Sequence, residues 1–442
     1  MSDRDLLLLR PRIKPGVRIS GALRRGTGTI HLIRDPDGER RLEVGVKEYF
    51  IIVRLDGTRS LDEIGQEYAR QFRLRLGGAQ WQQMLGLLYG RGLLAGHTPA
   101  AAPARSAPPP SSSPSARSAS PPPVSFASPP PTPPPVRGPG RRSTLLTGSV
   151  RLVADPPALL DRLHRATGFV RRPLFLLPLA VLVLALLAGI AARLGQLVDE
   201  TARLTHQPVA LAAVGAVLWV SLALHELAHG LAGRAFGART TEIGLRRWLL
   251  MTYLYCEMED VRFLPRRRQQ VATAGAGALM NLALLLPCYP VWALLPERAQ
   301  ARPFLAGLLL FGTVMALANL LPLPPLDGYK ILGYALGHVQ LATDSRTFAT
   351  LLARAAVRRG KPGALAGYSG RLRLVLGGYA LVCAGLAALA LAATGPLCRY
   401  LLPARYAGPA GWAPLLVAGV ALALWAVGLL ARAARRRRGG AP

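Results

Sequence analysis

His225-Glu226-Leu227-Ala228-His229 sets two imidazoles four residues apart with a carboxylate between them. On an α-helix, positions i and i+4 share a face, so both rings can reach one metal ion with Glu226 beside them. The chemistry of that set is metal-assisted hydrolysis. Two neutral nitrogens ligate an ion such as Zn2+, and the carboxylate takes a proton from a water on it. The pentapeptide lies inside an apolar run, Val209 to Phe236, long enough for a helix to cross a bilayer. Ionisable groups at that depth cost several kcal/mol each and persist where they serve a function.

A hydrolytic site needs a third protein ligand and one open position. The candidate is Asp327, in Asn319-Leu320-Leu321-Pro322-Leu323-Pro324-Pro325-Leu326-Asp327-Gly328, just past another apolar run. The prolines end the helix, and Gly328 is read as a sharp turn that lets the carboxylate project inward. The competing interpretation is an ordinary Asp-Gly surface turn. The depth shared with His229 argues against it.

Six apolar stretches of about membrane-spanning length are expected to position these groups. They run near Pro173–Leu194, Val209–Phe236, Val271–Leu295, Pro303–Leu323, Leu374–Ala393 and Trp412–Ala431. Basic residues cluster at alternate ends: Arg171-Arg172, Arg266-Arg267-Arg268, Arg358, Arg359, Lys361, Arg371, Arg373 and Arg435–Arg438. The opposite loops hold only Arg203, Arg298, Arg302, Arg399 and Arg405. The positive-inside rule then predicts a multi-pass protein of the inner (cytoplasmic) membrane with both termini in the cytoplasm. No secretory signal pattern is visible in residues 1–25, which agrees with that orientation.

Before the membrane region, residues 1–97 read as a small α+β domain. Thr29–Arg34 and Arg40–Val44 flank Asp35-Pro36-Asp37-Gly38 as a β-hairpin. Lys47–Leu55 follows as a helix with Tyr49, Phe50, Ile52 and Val53 on its apolar side. Ser60-Leu61-Asp62-Glu63 is a capping box that opens a second helix. A third runs from about Ala79 to Tyr89 with Trp81, Met84, Leu85 and Leu88 inward, completing a winged-helix-like arrangement. Residues 98–143, rich in Pro, Ser and Ala, have nothing to bury and read as a tether. Residues 144–172 hold an amphipathic helix, Asp155 to Phe169, expected at the membrane surface. Residues 173–338 form the hydrolytic core, and 339–442 a cytoplasmic loop with two further spans.

With 442 residues, 51% of them apolar, the chain is too long for one ordinary domain and too apolar for a wholly soluble protein. Its net charge of +31 would suggest nucleic acid in a soluble protein, yet membrane topology accounts for much of it. Cys256, Cys288, Cys383 and Cys398 form no CxxC pair, so neither a disulfide framework nor a thiolate metal site is indicated.

The pairing of HExxH with a downstream Asn-x-x-Pro-x-x-x-Leu-Asp-Gly segment resembles the site-2 protease class of intramembrane metalloproteases. The likeness extends over roughly Asp155 to Tyr334. It implies zinc held by His225, His229 and Asp327, with Glu226 as the catalytic base in peptide-bond hydrolysis. It also implies roles in lining the site or holding substrate for Asn281, in Gly277-Ala278-Leu279-Met280-Asn281, and for Asn319. In this chain Ala278 stands where that family has proline. An interhelical hydrogen bond is an equal alternative for Asn281. Between the second and third spans the family has a β-hairpin that holds extended substrate, and Thr240 to Val261 suits one.

Glu48-Tyr49-Phe50 through Leu55-Asp56-Gly57-Thr58-Arg59-Ser60-Leu61-Asp62-Glu63-Ile64 to Arg91-Gly92-Leu93-Leu94 resembles the PqqD-type peptide-recognition fold. Together the halves resemble the bacterial putative peptide zinc metalloprotease group. The resemblance implies a peptide precursor or membrane-anchored protein as substrate, in a lipid bilayer, with a peptide exporter or modification enzymes as partners. Two other classes stay open: a non-catalytic peptide-binding or export scaffold, and a membrane-tethered winged-helix regulator. Nucleic acid is not expected as a partner, because the third helix offers Gln80, Gln82 and Gln83 but no cation before Arg91.

Overall fold

The short α1 (Asp3–Leu7) opens the chain and tucks Leu6 into the first core. The computed structural model describes residues 3–35, 41–95, 147–153, 156–168, 173–238, 240–248, 251–258, 261–357 and 363–401. The fold is mostly helical, and it divides into two units, Met1–Val339 and Gln340–Pro442.

Apolar alternation produces the hairpin as expected. β1 (Arg18–Ile19) and β2 (Leu23–Arg25) pair with β3 (Gly28–Arg34), whose opposite edge carries β4 (Arg41–Gly45). Ile33 meets both Ile19 and Leu42, and Ile30 meets both Leu23 and Gly45, which places β1 and β2 on one edge and β4 on the other. Three helices cover the sheet: α2 (Val46–Ile52), α3 (Leu61–Phe72) and α4 (Gly78–Gly90). The capping box is formed, Ser60 Oγ accepting from Glu63 N at 3.2 Å and Glu63 Oε2 from Ser60 N at 2.8 Å. Ile33, Ile51, Leu61, Ile64, Trp81 and Leu88 are the fully buried centre. Val53 corrects its expectation: α2 stops at Ile52, so Val53 is 41% exposed and Ile51 takes the inward place.

Among the described residues, five helices are long and apolar enough to cross a membrane: Leu174–Ala192, Pro208–Ala235, Arg267–Leu294, Ala301–Asn319 and Gly370–Ala393. The stretch Trp412–Ala431, the linker 98–143 and the tip of the first hairpin lie outside the described residues. β5 (Thr147–Arg151) leads into α5 (Pro156–Ala166), α6 (Pro173–Ala192), α7 (Leu194–Ala202) and α8 (Pro208–Ala235). The hairpin expected between the second and third spans is present as β6 (Thr240–Trp248) and β7 (Met251–Met258). β5 adds to β6 as a third strand, giving the order β5-β6-β7. That strand was not anticipated within 144–172. The amphipathic α5 also does more than present an apolar side: Leu160 is fully buried against α8, and Arg234 clamps Asp161 through two nitrogens at 2.5 and 2.8 Å.

α9 (Arg267–Leu285) and α10 (Cys288–Leu294) divide the third apolar stretch at Leu286-Pro287. α11 (Ala301–Asn319) ends four residues before the expected Leu323, because Pro322 lies just beyond. α12 (Asp327–Leu336) follows the proline loop. Its far end is tied to the first domain: Arg24 N donates to Gly337 O at 2.7 Å, and Val339 N to Arg24 O at 3.0 Å. In the second unit, α13 (Leu341–Val357), α14 (Gly363–Ala366) and α15 (Gly370–Leu401) pack around Phe348 and Leu376, with Ser345 Oγ donating to Leu376 O at 2.6 Å.

Away from the histidines, α7 and α11 share a buried ion pair. Arg302 Nε meets Glu200 Oε1 at 2.7 Å, both side chains being almost fully buried, and Trp292 Nε1 donates to Glu200 Oε2 at 2.7 Å. Arg302, taken from sequence as a loop charge, is thus an interior residue. Removing one partner of a buried pair costs about 3–5 kcal/mol, because the other charge stays desolvated. Glu200→Ala is therefore expected to destabilise the folded protein by about that amount in denaturant unfolding in detergent. Wild-type stability would show that the pair contributes nothing.

Candidate metal centre

Three elements converge on one point. α8 presents His225 and His229 from one face, α12 begins with Asp327, and α9 lies along the rings. Asp327 Oδ2 is 3.0 Å from the Nε2 atoms of both His225 and His229, which are 3.1 Å apart. The rings stand nearly perpendicular, at 87°. All three side chains are buried, and among the described residues this is the one group of three that can hold a metal ion.

The donor set suits a small cation. A tetrahedral ion with bonds of about 2.0–2.1 Å separates its ligand atoms by about 3.3 Å, close to the spacing found. Proton positions strengthen the case. His229 Nδ1 lies 2.7 Å from Thr273 O, and a carbonyl only accepts, so this nitrogen carries the hydrogen. In the neutral ring Nε2 is then a lone pair facing a carboxylate oxygen and a second imidazole nitrogen. A lone pair aimed at that point is what a metal ion there would take.

His225 is oriented from behind. Its Nδ1 is 3.1 Å from Asn281 Nδ2, while Asn281 Oδ1 accepts from Ser221 Oγ at 3.1 Å. A serine hydroxyl both donates and accepts, so the amide can turn either end to the ring. Oxygen toward Nδ1–H is the arrangement that leaves Nε2 free for a metal. The structure thus brings Asn281, buried at 2% exposure, to a histidine of the cluster. Asn319, half-buried at the end of α11, bonds Asp327 Oδ2 and His225 Nε2 through Nδ2, each at 3.1 Å. Its Oδ1 accepts from the Asp327 backbone at 3.4 Å. The interhelical hydrogen bond weighed for Asn281 is thus present, from α9 to α8, whereas the contacts of Asn319 were not assigned from sequence.

Two glycines make the approach possible. A Cβ on Gly277 would lie 2.5–2.6 Å from ring atoms of His225 and His229, so α9 can close on the imidazoles only where no side chain intervenes. Gly328 corrects its expectation: it is no turn residue but the second residue of α12, and a Cβ there would collide with the backbone of Leu320 and Leu321. Close backbone packing, rather than a left-handed turn, is what requires glycine. Asp327 accordingly projects from a helix start and not from a bend. Gly277→Ala is expected to leave the protein folded and to lower metal affinity about 10–100-fold, the range typical of lost outer support. Metal titration against a chelator measures it; unchanged affinity would show that the rings do not need α9 so close.

Glu226 is half-buried, and no hydrogen bond or ion pair holds its carboxylate among the described residues. Its charge reaches β7: burial pushes the Cys256 thiol up to about 12, and the Glu226 carboxylate adds to the rise. The Cys256 sulfur packs close to Gly230 of α8. Lys330, one turn into α12, donates Nζ to Asp327 Oδ1 at 2.7 Å. Sequence reading passed over Lys330, Ser221 and the Thr273 carbonyl. Helical spacing from Asp327 and His225 marks the two side chains, whereas a backbone carbonyl leaves no sequence signal. Comparison with protein-family models, with curated proteins and with solved structures finds no match to this chain.

Proposed function

We propose that this protein is an intramembrane zinc metallopeptidase that hydrolyses a peptide bond in a peptide precursor or membrane-anchored protein. The observation that carries the reading is the meeting of His225, His229 and Asp327 at about 3 Å, with the His229 tautomer fixed by Thr273 O. Zinc is the ion that two imidazoles, one carboxylate and an open fourth position favour. When bound, it supplies Lewis acidity toward a water and the scissile carbonyl.

The residues of the chain do the rest. His225 and His229 are held in orientation through Asn281 and Thr273 O. Glu226, unencumbered beside the cluster, accepts the proton of the attacking water and passes it to the departing amine. β7 carries its backbone along α8 beside Glu226, with Trp219 Nε1 donating to Thr252 O at 2.5 Å. A peptide lying extended there would satisfy its own backbone groups by strand pairing.

Membrane residence is supported by the outward faces of the long helices, where Leu174, Leu177, Leu184, Leu374 and Leu381 are each more than 60% exposed. The charge distribution favours the inner membrane with both termini cytoplasmic. The reading is tested by profiling N-terminal peptides in membranes of cells expressing the wild-type chain or Glu226→Gln. New N-termini found only with the wild type support it; identical profiles reject it.

A further inference from the structure

The two oxygens of Asp327 serve different partners. Oδ2 faces His225, His229 and Asn319, whereas Oδ1 accepts from Lys330 Nζ at 2.7 Å. The Asp327 side chain is 4% exposed and that of Lys330 50%, so the ammonium stands at the mouth of an otherwise buried cluster. Residues three apart on a helix are neighbours, which lets the pair form within the first turn of α12.

The residue type is informative. Of 54 cationic side chains, lysine occurs only at 14, 47, 330 and 361; every other one is arginine. A guanidinium offers two parallel N–H groups that grip both carboxylate oxygens, whereas an ammonium is a point charge able to take one. At position 330 that difference decides whether Oδ2 remains available.

We infer that Lys330 is a positioning residue of the metal centre, holding Asp327 Oδ1 so that the carboxylate ligates through Oδ2 alone. The inference rests on the metallopeptidase reading and adds how the site keeps a coordination position open. Without the ammonium, Oδ1 can turn inward, chelate the ion and close that position. With an arginine, both oxygens are drawn outward and the ion loses its third ligand. Lys330→Met and Lys330→Arg therefore fail in opposite ways.

The test uses the full-length chain in detergent, loaded with cobalt(II), whose visible absorption weakens as coordination rises from four toward six. The wild type should give an intense four-coordinate spectrum. Lys330→Met should keep cobalt with a several-fold weaker spectrum, and kcat should fall about 10-fold or more with KM little changed. Lys330→Arg should instead bind cobalt at least 10-fold more weakly. Wild-type spectrum and affinity in both variants would overturn the role of Lys330 while leaving the metal site standing. If the wild type binds no cobalt, the metallopeptidase reading fails and this inference with it.

Discussion

Glu226→Gln is expected to abolish hydrolysis while leaving bound metal at the wild-type level. The amide has nearly the shape of the carboxylate but cannot take a proton, and loss of a general base costs about 10²–10⁴-fold in rate. Glu226 is no part of the His225–His229–Asp327 cluster, so the affinity for metal should not change. Cleavage of a co-reconstituted substrate and metal content, measured on one preparation, separate the two effects. A variant that retains cleavage would remove Glu226 from the chemistry; one that loses its metal would make it a ligand.

Asp327→Ala should have the opposite signature, with metal and activity lost together. It deletes the oxygen that both imidazoles face and the carboxylate that Lys330 and Asn319 bond. The fall in metal affinity should exceed the roughly 10–100-fold that follows loss of an outer-shell group. Asp327→Asn, which keeps the shape and removes the charge, guards against a folding defect. Chelator competition on both variants gives the answer, and retention of wild-type affinity by either would exclude Asp327 as a ligand.

What sequence reading reached was set by local signals. HExxH spacing works through one helix, and α8 delivers both rings because i and i+4 share a face. The loop before Asp327 was legible because Pro322, Pro324 and Pro325 forbid a continuing helix. Gly328 misled because glycine marks two different needs, a left-handed turn and a close backbone approach, and only packing against Leu320 and Leu321 shows which applies. β5 escaped notice because Thr147–Arg151 is short and its partner, β6, lies about a hundred residues on. The tie between Arg24 and the segment after α12 is a backbone contact between distant parts of the chain, with no pattern to announce it. The supports of the site, Ser221 behind Asn281 and Lys330 beside Asp327, are single polar residues whose meaning depends on what folds against them.

The most direct measurement is zinc K-edge X-ray absorption on the purified full-length protein, with metal content determined on the same sample. One zinc per chain is expected, in a shell of two imidazole nitrogens and oxygen donors at about 2.0–2.2 Å without sulfur. A chain that holds no stoichiometric metal, or an ion ligated by cysteine sulfur at about 2.3 Å, would contradict the account.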